Sequence, residues 1–492
     1  MEKQWICCPK SLILLIKRPF TKLSAVKTSV LMKIVSRQMK GKTMASSLIN
    51  SELFKDQYST KEMRAVFSGR AQIQSWLDCW VALAKAEAKN GVIPESAAEE
   101  IAQKAHAEDI DMDYVREGFK NTSHPLMPQI RAFTKLCSPE AGGYIHWGAT
   151  TQDITDTGMI LQLRNAQDIL EKQLEHLLNQ VLDKAEKYKA LPEAGRTHAQ
   201  HAVPITLGYK FAIWADELGR DLERLQHDRK TYFAGNFGGA AGTLASLFDK
   251  GIAVRNDFCK NLGLAIPTIT WHVSRDRLAN FSSDIAIAAS TIGKMANEII
   301  NLQRTEIEEV EEGFQMGKVG SSTMPQKRNP MICENIYANV RLVKNNANLG
   351  LEAMVQEHER DMSFWQTEWM YLSEMCLVFS AAIKMMSQVM DQMIVHEDNI
   401  KRNLNMTHGL IVSERVMLDL GRYIGRQNAH EVIYEDAQKA FNDGIDFLDV
   451  LLADERVTKD VDEATLREML DPARYVGSCV QMVDDVVKKW RK

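Results

Sequence analysis

From Thr60 to Asn90 apolar side chains return at helical spacing, at Met63, Val66, Phe67, Ile73, Trp76, Leu77, Trp80 and Leu83, and Gly91 with Pro94 supplies a stop. Helical periodicity then dominates to the end of the chain. The stretch Thr157 to Lys189 has no proline and one glycine at its start, which predicts a single long helix. Phe281 to Glu312 predicts another, opening on Ser282, Ser283 and Asp284 as cap candidates. It closes on Glu306, Glu308, Glu309, Glu311 and Glu312, which read as a solvated helix end. Asn335 to Glu357 and Phe364 to Val395 are further long candidates. Helices of this length, without the apolar/polar alternation of strands, predict an all-α elongated bundle rather than an α/β sheet. No repeat of fixed period is present, which argues against a solenoid.

The connections hold the residues that differ from this pattern. Three are rich in Gly, Ser, Thr and Pro: Gly142 to Thr157, Gly195 to Pro204 and Gly313 to Pro330. A fourth, Gly235 to Thr243, is dense in glycine. The segment Gly320-Ser321-Ser322-Thr323-Met324-Pro325-Gln326-Lys327-Arg328-Asn329-Pro330 gathers hydroxyls, amides and an ammonium in one short loop. A serine takes a proton from carbon only if its alkoxide is stabilised, and a nearby lysine with loop N–H groups lowers its pKa. A flexible interhelical linker is the plainer reading of such composition.

Composition narrows the partners. The chain has 492 residues, 45% hydrophobic and 25% charged, an ordinary globular balance. Sixty basic against 65 acidic residues give a formal charge of -5, too near balance for the basic field that nucleic acid or an anionic membrane requires. Neither polymer is an expected partner, and no membrane span is readable. The eight cysteines form no CxxC or Cys/His ligand set, which suits a reducing compartment. Residues 1-43 differ from the rest, with ten Lys/Arg against the single acid Glu2. They read as an organelle-targeting leader or as residues upstream of a start at Met44, from which the chain is expected to fold normally. The expected compartment is the cytoplasm, or an organellar matrix if the leader targets.

The loop GSSTMPQKRNP resembles the signature loop of the fumarase/aspartase superfamily, GSSxMPxKxN, at every fixed position. Gly195-Arg196-Thr197-His198-Ala199-Gln200-His201-Ala202 is similar to the family's GRTH segment, and Gly148-Ala149-Thr150-Thr151-Gln152-Asp153 to its hydroxyl-rich carboxylate segment. The motifs stand in family order. The resemblance implies that Ser321 is the general base, that Lys327 and Asn329 bind a substrate carboxylate, and that His198 serves the acid side. It implies that Thr150 and Thr151 hold a carboxylate and that Glu334 orients a histidine. Ser322, Met324, Thr197 and Gln200 fall within the same motifs and join the candidate substrate-binding set. His124 sits where adenylosuccinate-lyase relatives carry another active-site histidine, although Pro125 departs from them. Arg275 and Arg277 either form a surface ion-pair cluster with Asp276 or bind carboxylate or phosphate. His201 and His272 read as structural. No metal or organic cofactor is called for.

Within the superfamily the chain looks like the branch of adenylosuccinate lyase and 3-carboxy-cis,cis-muconate cycloisomerase. Asp56-Gln57-Tyr58-Ser59 resembles the adenylosuccinate-lyase opening, with Gln57 in place of the arginine that meets a nucleotide phosphate. Ile145-His146-Trp147-Gly148, Trp271-His272 and Trp365-Gln366-Thr367-Glu368-Trp369 look more like the cycloisomerase. The resemblance implies β-elimination from a succinyl-type dicarboxylate with release of fumarate, adenylosuccinate-lyase-like. The cycloisomerase reaction and a catalytically silent, crystallin-like scaffold are the alternatives. It also implies three helical domains, at 44-156, 157-396 (with the loop 313-330) and 397-492, and a homotetramer with shared active sites built on the central bundles.

Overall fold

The computed structural model describes residues 47–313, 320–361 and 363–491. The basic leader and positions 314–319 of the signature connection lie outside the described residues. The chain divides into two units, Met1–Phe54 and Lys55–Lys492. The described part of the first is a short 3-10 turn, Leu48–Asn50, capped by Ser47.

The second unit is helical. Its main elements in chain order are α1 (Lys61–Val66), α2 (Gly69–Lys89), α3 (Met112–Thr122), α4 (Met127–Thr134), α5 (Thr151–Lys187), the hairpin β1 (Pro192–Thr197) and β2 (Gln200–Thr206), and α6 (Leu207–His227). Then follow α7 (Asp276–Leu302), β3 (Val310–Glu311), α8 (Met331–Glu352), α9 (Phe364–Gln392) and β4 (Ile394–Val395). The chain ends with α10 (Glu397–Leu404), α11 (Ser413–Ile424), α12 (Arg426–Asp443) and α13 (Cys479–Trp490). All-α is therefore the fold class, with two small antiparallel pairs, β1–β2 and β3–β4.

Local chemistry sets the helix limits. The predicted first helix is broken at Phe67, because the Ser68 hydroxyl accepts from the Ala71 amide at 3.2 Å and starts α2 afresh. The long central helix begins at Thr151 rather than Thr157, since Asp153 reaches back to accept the Thr150 amide at 2.9 Å. α7 stops at Leu302, short of the acidic run, and Val310–Glu311 pair in a strand with Ile394–Val395.

α5, α6, α7, α8 and α9 pack in succession, and α9 returns to α5, closing a bundle. Leu163, Leu170, Leu174 and Leu177 of α5 are fully buried in it. Truncating any one to alanine costs about 2–5 kcal/mol. α2 crosses α5 closely at Gly158, where a Cβ would stand 2.6 Å from Cδ1 of Trp76. α9 is long and apolar enough to cross a membrane by length and composition, but 61% of its most apolar window is buried within the protein, as in a core helix. Beyond α10 a separate apolar cluster forms around Val416, Leu420, Val432, Ile433, Phe447 and Leu466. α13 then returns to the bundle, packing on α6, with the Trp490 indole donating to Asp216.

Candidate active site

The described part of the signature loop closes on itself. Asn329 Nδ2 donates to the Gly320 carbonyl at 2.7 Å, and a Cβ on Gly320 would strike the backbone of Lys327, so only glycine fits there. Inside this closure the Ser321 Oγ accepts from the Met324 amide at 3.1 Å and, more weakly, from the Thr323 amide at 3.4 Å. Two N–H dipoles aimed at a hydroxyl oxygen favour its alkoxide over its neutral form. Ser321 is half-buried, whereas Ser322, Met324 and Lys327 are exposed. Lys327, Asn329 and Glu334 line one groove of about 1100 Å³ together with Arg304 and Glu308. Glu334 sits in the first turn of α8, and among the described residues no histidine bonds to it.

The acidic run is a correction to the reading of a solvated helix end. Glu309, Glu311 and Glu312 are buried. Glu309 holds Arg196 bidentately, at 2.9 and 2.6 Å, and accepts from Asn403. Glu311 binds Arg328 of the loop at 3.0 Å and faces His396. Glu312 accepts the Ile332 and Cys333 amides that open α8. Three carboxylates within four positions thus tie Arg196 of the GRTH hairpin, the loop and the start of α8 to one segment.

His198 occupies the tip of that hairpin. His198 and Ala199 both have positive φ, +50° and +62°, between the paired residues Thr197 and Gln200. That is the two-residue turn matching the twist of a hairpin, usually made by Asn-Gly, and here by residues that adopt it at a cost. Thr197, His198 and Gln200 are all exposed. Beneath the tip, burial pushes the Glu193 carboxyl up to about 7 against the pull of Lys210, with Glu309 adding repulsion. Lys210 also pairs with Glu298 on α7 at 2.5 Å.

The third motif is built differently. Thr150 and Thr151 stand at the start of α5, and the Thr151 Oγ1 lies 3.3 Å from Nε2 of His124. The His124 Nδ1 accepts the Leu126 and Met127 amides at 3.2 and 3.0 Å, which leaves the proton on Nε2, directed at Thr151. Under this pair the fully buried Asp153 accepts from Thr150, from the Gly238 and Gly239 amides at 2.9 and 3.0 Å, and from His272 at 2.7 Å. Gln152 donates to the His272 carbonyl, and Arg360 spans the Gln152 side chain and the Gly239 carbonyl. His146, just upstream, accepts the Trp80 indole N–H at 3.1 Å, and burial lowers its pKa to about 4. Sequence reasoning assigns no role to Asp153, the glycine segment or Arg360. The only signal for them in the chain is an Asp three places after Thr150, the spacing of a helix start.

The arginine pair separates. Arg275 is buried and committed inside the protein, held at 2.7 Å by Asp156 and at 2.9 Å by Glu368. It is neither a surface cluster nor an open anion site. Arg277 is half-buried and donates to the Thr231 carbonyl. His272 is buried and bonds to Asp153 beneath the Thr150 turn. The acidic segment therefore links the loop, through Arg328, to the hairpin, through Arg196. Among the described residues no hydrogen bond joins either to the Thr151–His124 pair.

A helical bundle carrying a self-closed serine loop, a strained histidine turn and a threonine-capped helix start defines a class. The chain matches the Lyase family over residues 55–343 and the adenylosuccinate lyase C-terminus family over residues 409–486. It belongs to the fumarase/aspartase superfamily of lyases, in the branch of adenylosuccinate lyase and 3-carboxy-cis,cis-muconate cycloisomerase. It is 40% identical to an N-acetyl-S-(2-succino)cysteine lyase of Enterococcus italicus, covering 91% of this chain and 98% of that protein. To an adenylosuccinate lyase of Methanocaldococcus jannaschii it is 38% identical, over 88% of this chain and 94% of the relative. The crystal structure of 3-carboxy-cis,cis-muconate lactonizing enzyme from Pseudomonas putida superposes with a TM-score of 0.84 at 34% identity, covering 90% of this chain and 99% of that one.

Proposed function

We propose that the protein releases fumarate by β-elimination from a 2-succino adduct, a succinate substituted through sulfur or nitrogen, with a leaving group that carries no phosphate. The observation that carries this reading is the pair of amides on the Ser321 Oγ inside a loop that also presents Lys327. Ser321 takes the proton from the carbon β to the leaving atom. The electron pair moves first into the adjacent carboxylate, where Lys327 and loop N–H groups stabilise the dianion, then forms the C=C bond as the C–S or C–N bond breaks. His198 returns a proton to the departing atom. Thr150, Thr151 and the His124 N–H hold the second carboxylate. A thiol leaves with a pKa near 8.5, so a sulfur adduct asks less of His198 than an amine does.

Gln57 supports a leaving group without phosphate: its exposed amide stands where the adenylosuccinate-lyase opening carries a cation. The 40% identity to a lyase named for a 2-succino thioether supports sulfur as the leaving atom. The test is fumarate absorbance from four substrates side by side: a 2-succino thioether of cysteine, adenylosuccinate, argininosuccinate and carboxymuconate. Turnover of the thioether well above the others is the expected result. Lactone from carboxymuconate as the dominant activity would replace this reading by cycloisomerisation, and inertness toward all four would favour a silent scaffold.

The site is assembled from neighbouring copies in a homotetramer. The lack of a bond between the Thr151–His124 pair and the other two motifs supports this, and a fully active monomer by light scattering would refute it. Among the described residues Cys79, Cys137, Cys259, Cys376 and Cys479 are free thiols, which supports a reducing cytoplasm as the place of work.

A further inference from the structure

Away from the three motifs, α2 and α5 enclose a cavity of about 540 Å³, with Asn261 and Leu262 on a third side. Its walls are fastened to one another by side chains that bond to backbone. Gln162 of α5 donates to the Val66 carbonyl at 2.8 Å, and Asn261 donates to the Ala82 carbonyl at 3.0 Å. Arg164 of α5 donates through Nη1 to the Leu262 carbonyl, also at 2.8 Å. On α2 the Asp78 Oδ1 accepts from Gln74 at 2.8 Å, and Gln74 is itself held by Ala105 and Ala107. Arg164 lies about 20 Å along α5 from Thr151, and none of the candidate catalytic or carboxylate-binding residues lines the cavity.

Three charged side chains line it: Asp78 and Lys85, about two turns apart on one face of α2, and Arg164 on α5. Among the described residues none of the three makes an ion pair. Asp78 and Lys85 are exposed and Arg164 is half-buried, so all three are open to a guest. The bond to Leu262 steadies Arg164 through Nη1 and leaves Nε and Nη2 to donate, while Asp78 keeps Oδ2 to accept. Two cations and one carboxylate around a single volume complement a guest with two anionic groups and one cationic group. Phosphate or a plain diacid would suit Lys85 and Arg164 but be repelled by Asp78, and a polyamine would meet the reverse.

We propose that this cavity is a binding site for a small α-amino acid with a carboxylate side chain, whose ammonium meets Asp78 and whose two carboxylates meet Lys85 and Arg164. Val81, Ala82 and Leu161 between the charged groups take its hydrocarbon part. The guest joins α2 to α5, so its binding raises the thermal midpoint of the folded chain. The site is separate from the proton transfers and independent of the reaction proposed above.

The experiment is calorimetry on the full chain with three probes of equal carbon length: L-glutamate, L-norvaline, which lacks the side-chain carboxylate, and glutarate, which lacks the ammonium. Glutamate is expected to bind, and each of the others to bind about tenfold or more weakly, the scale of one hydrogen bond between charged groups. Arg164→Gln and Asp78→Asn should each weaken glutamate by a similar factor, with circular dichroism unchanged and fumarate release as in the wild type. Lys327→Gln separates this cavity from a diacid held at the signature loop: glutamate binding kept in that variant and lost in Arg164→Gln supports the cavity. Absence of heat with glutamate, binding lost in Lys327→Gln, or binding indifferent to both Arg164→Gln and Asp78→Asn overturns it. Glutarate bound as tightly as glutamate would remove the ammonium contact and overturn the amino-acid class.

Discussion

The signature loop, with the candidate base Ser321, and the start of α5, with the candidate carboxylate-binding threonines, are built in opposite ways. The loop around Ser321 is mostly exposed and held by its own backbone, by Gln303 donating to the Arg328 carbonyl, and by the Arg328–Glu311 pair. The start of α5 rests on Asp153, a fully buried carboxylate receiving four N–H groups from three segments of chain. The first can change shape at little cost, and the second cannot. A site that must admit a diacid and then exclude water benefits from one fixed wall and one that closes.

Substitutions that separate the two walls test this contrast. The largest effect belongs to Ser321→Ala, which should lower turnover by roughly a hundredfold or more while leaving the thermal midpoint unchanged; His198→Gln should act similarly, and near-normal rates in both would sink the assignment of roles. Asp153→Asn should instead cost about 2–3 kcal/mol of stability by chemical denaturation, the scale of hydrogen bonds to a charged group, because an amide NH2 would then face donors. If stability holds and only kcat falls, Asp153 belongs to the chemistry rather than to the wall. Glu309→Gln weakens the bidentate hold on Arg196 and should cost about 1.5–2 kcal/mol, with kcat falling more than KM rises as the His198 turn loosens. The remaining test is a pH slope. Burial holds the His146 pKa down near 4 beside the α5 start. Between the unfolded value near 6.5 and that folded value the unfolded chain binds more protons, so stability is complete above pH 6.5 and declines as pH falls toward 4. A His146→Gln variant should show a flatter acid side in denaturation midpoints; an identical profile would assign the slope to other groups.

Much of the candidate site is legible in the amino-acid sequence because its chemistry is local. Ser321, Lys327 and Asn329 lie within one loop, so the likeness of that loop to the superfamily's signature is readable without the tertiary structure. The long helices are equally plain, since periodicity and the lack of proline are local properties. Their ends are less so: α5 starts at Thr151 because Asp153 turns back on it, and α2 starts afresh because Ser68 caps it. Both capping signals stand at the right spacing, but the glycines and hydroxyls around them read more readily as loop.

The acidic run shows where local reading stops. Five glutamates in seven positions look solvated until Arg196, more than a hundred residues earlier, and Arg328 are brought to meet them. Arg275 likewise looks available until Asp156 and Glu368 enclose it. Sequence by itself determined the helical class, the superfamily and its signature loop, all of which follow from neighbours in the chain. Only the tertiary structure decided which charges are buried and which histidine nitrogen carries a proton toward Thr151. Those depend on groups distant in sequence meeting where water is excluded, and no local pattern encodes that meeting.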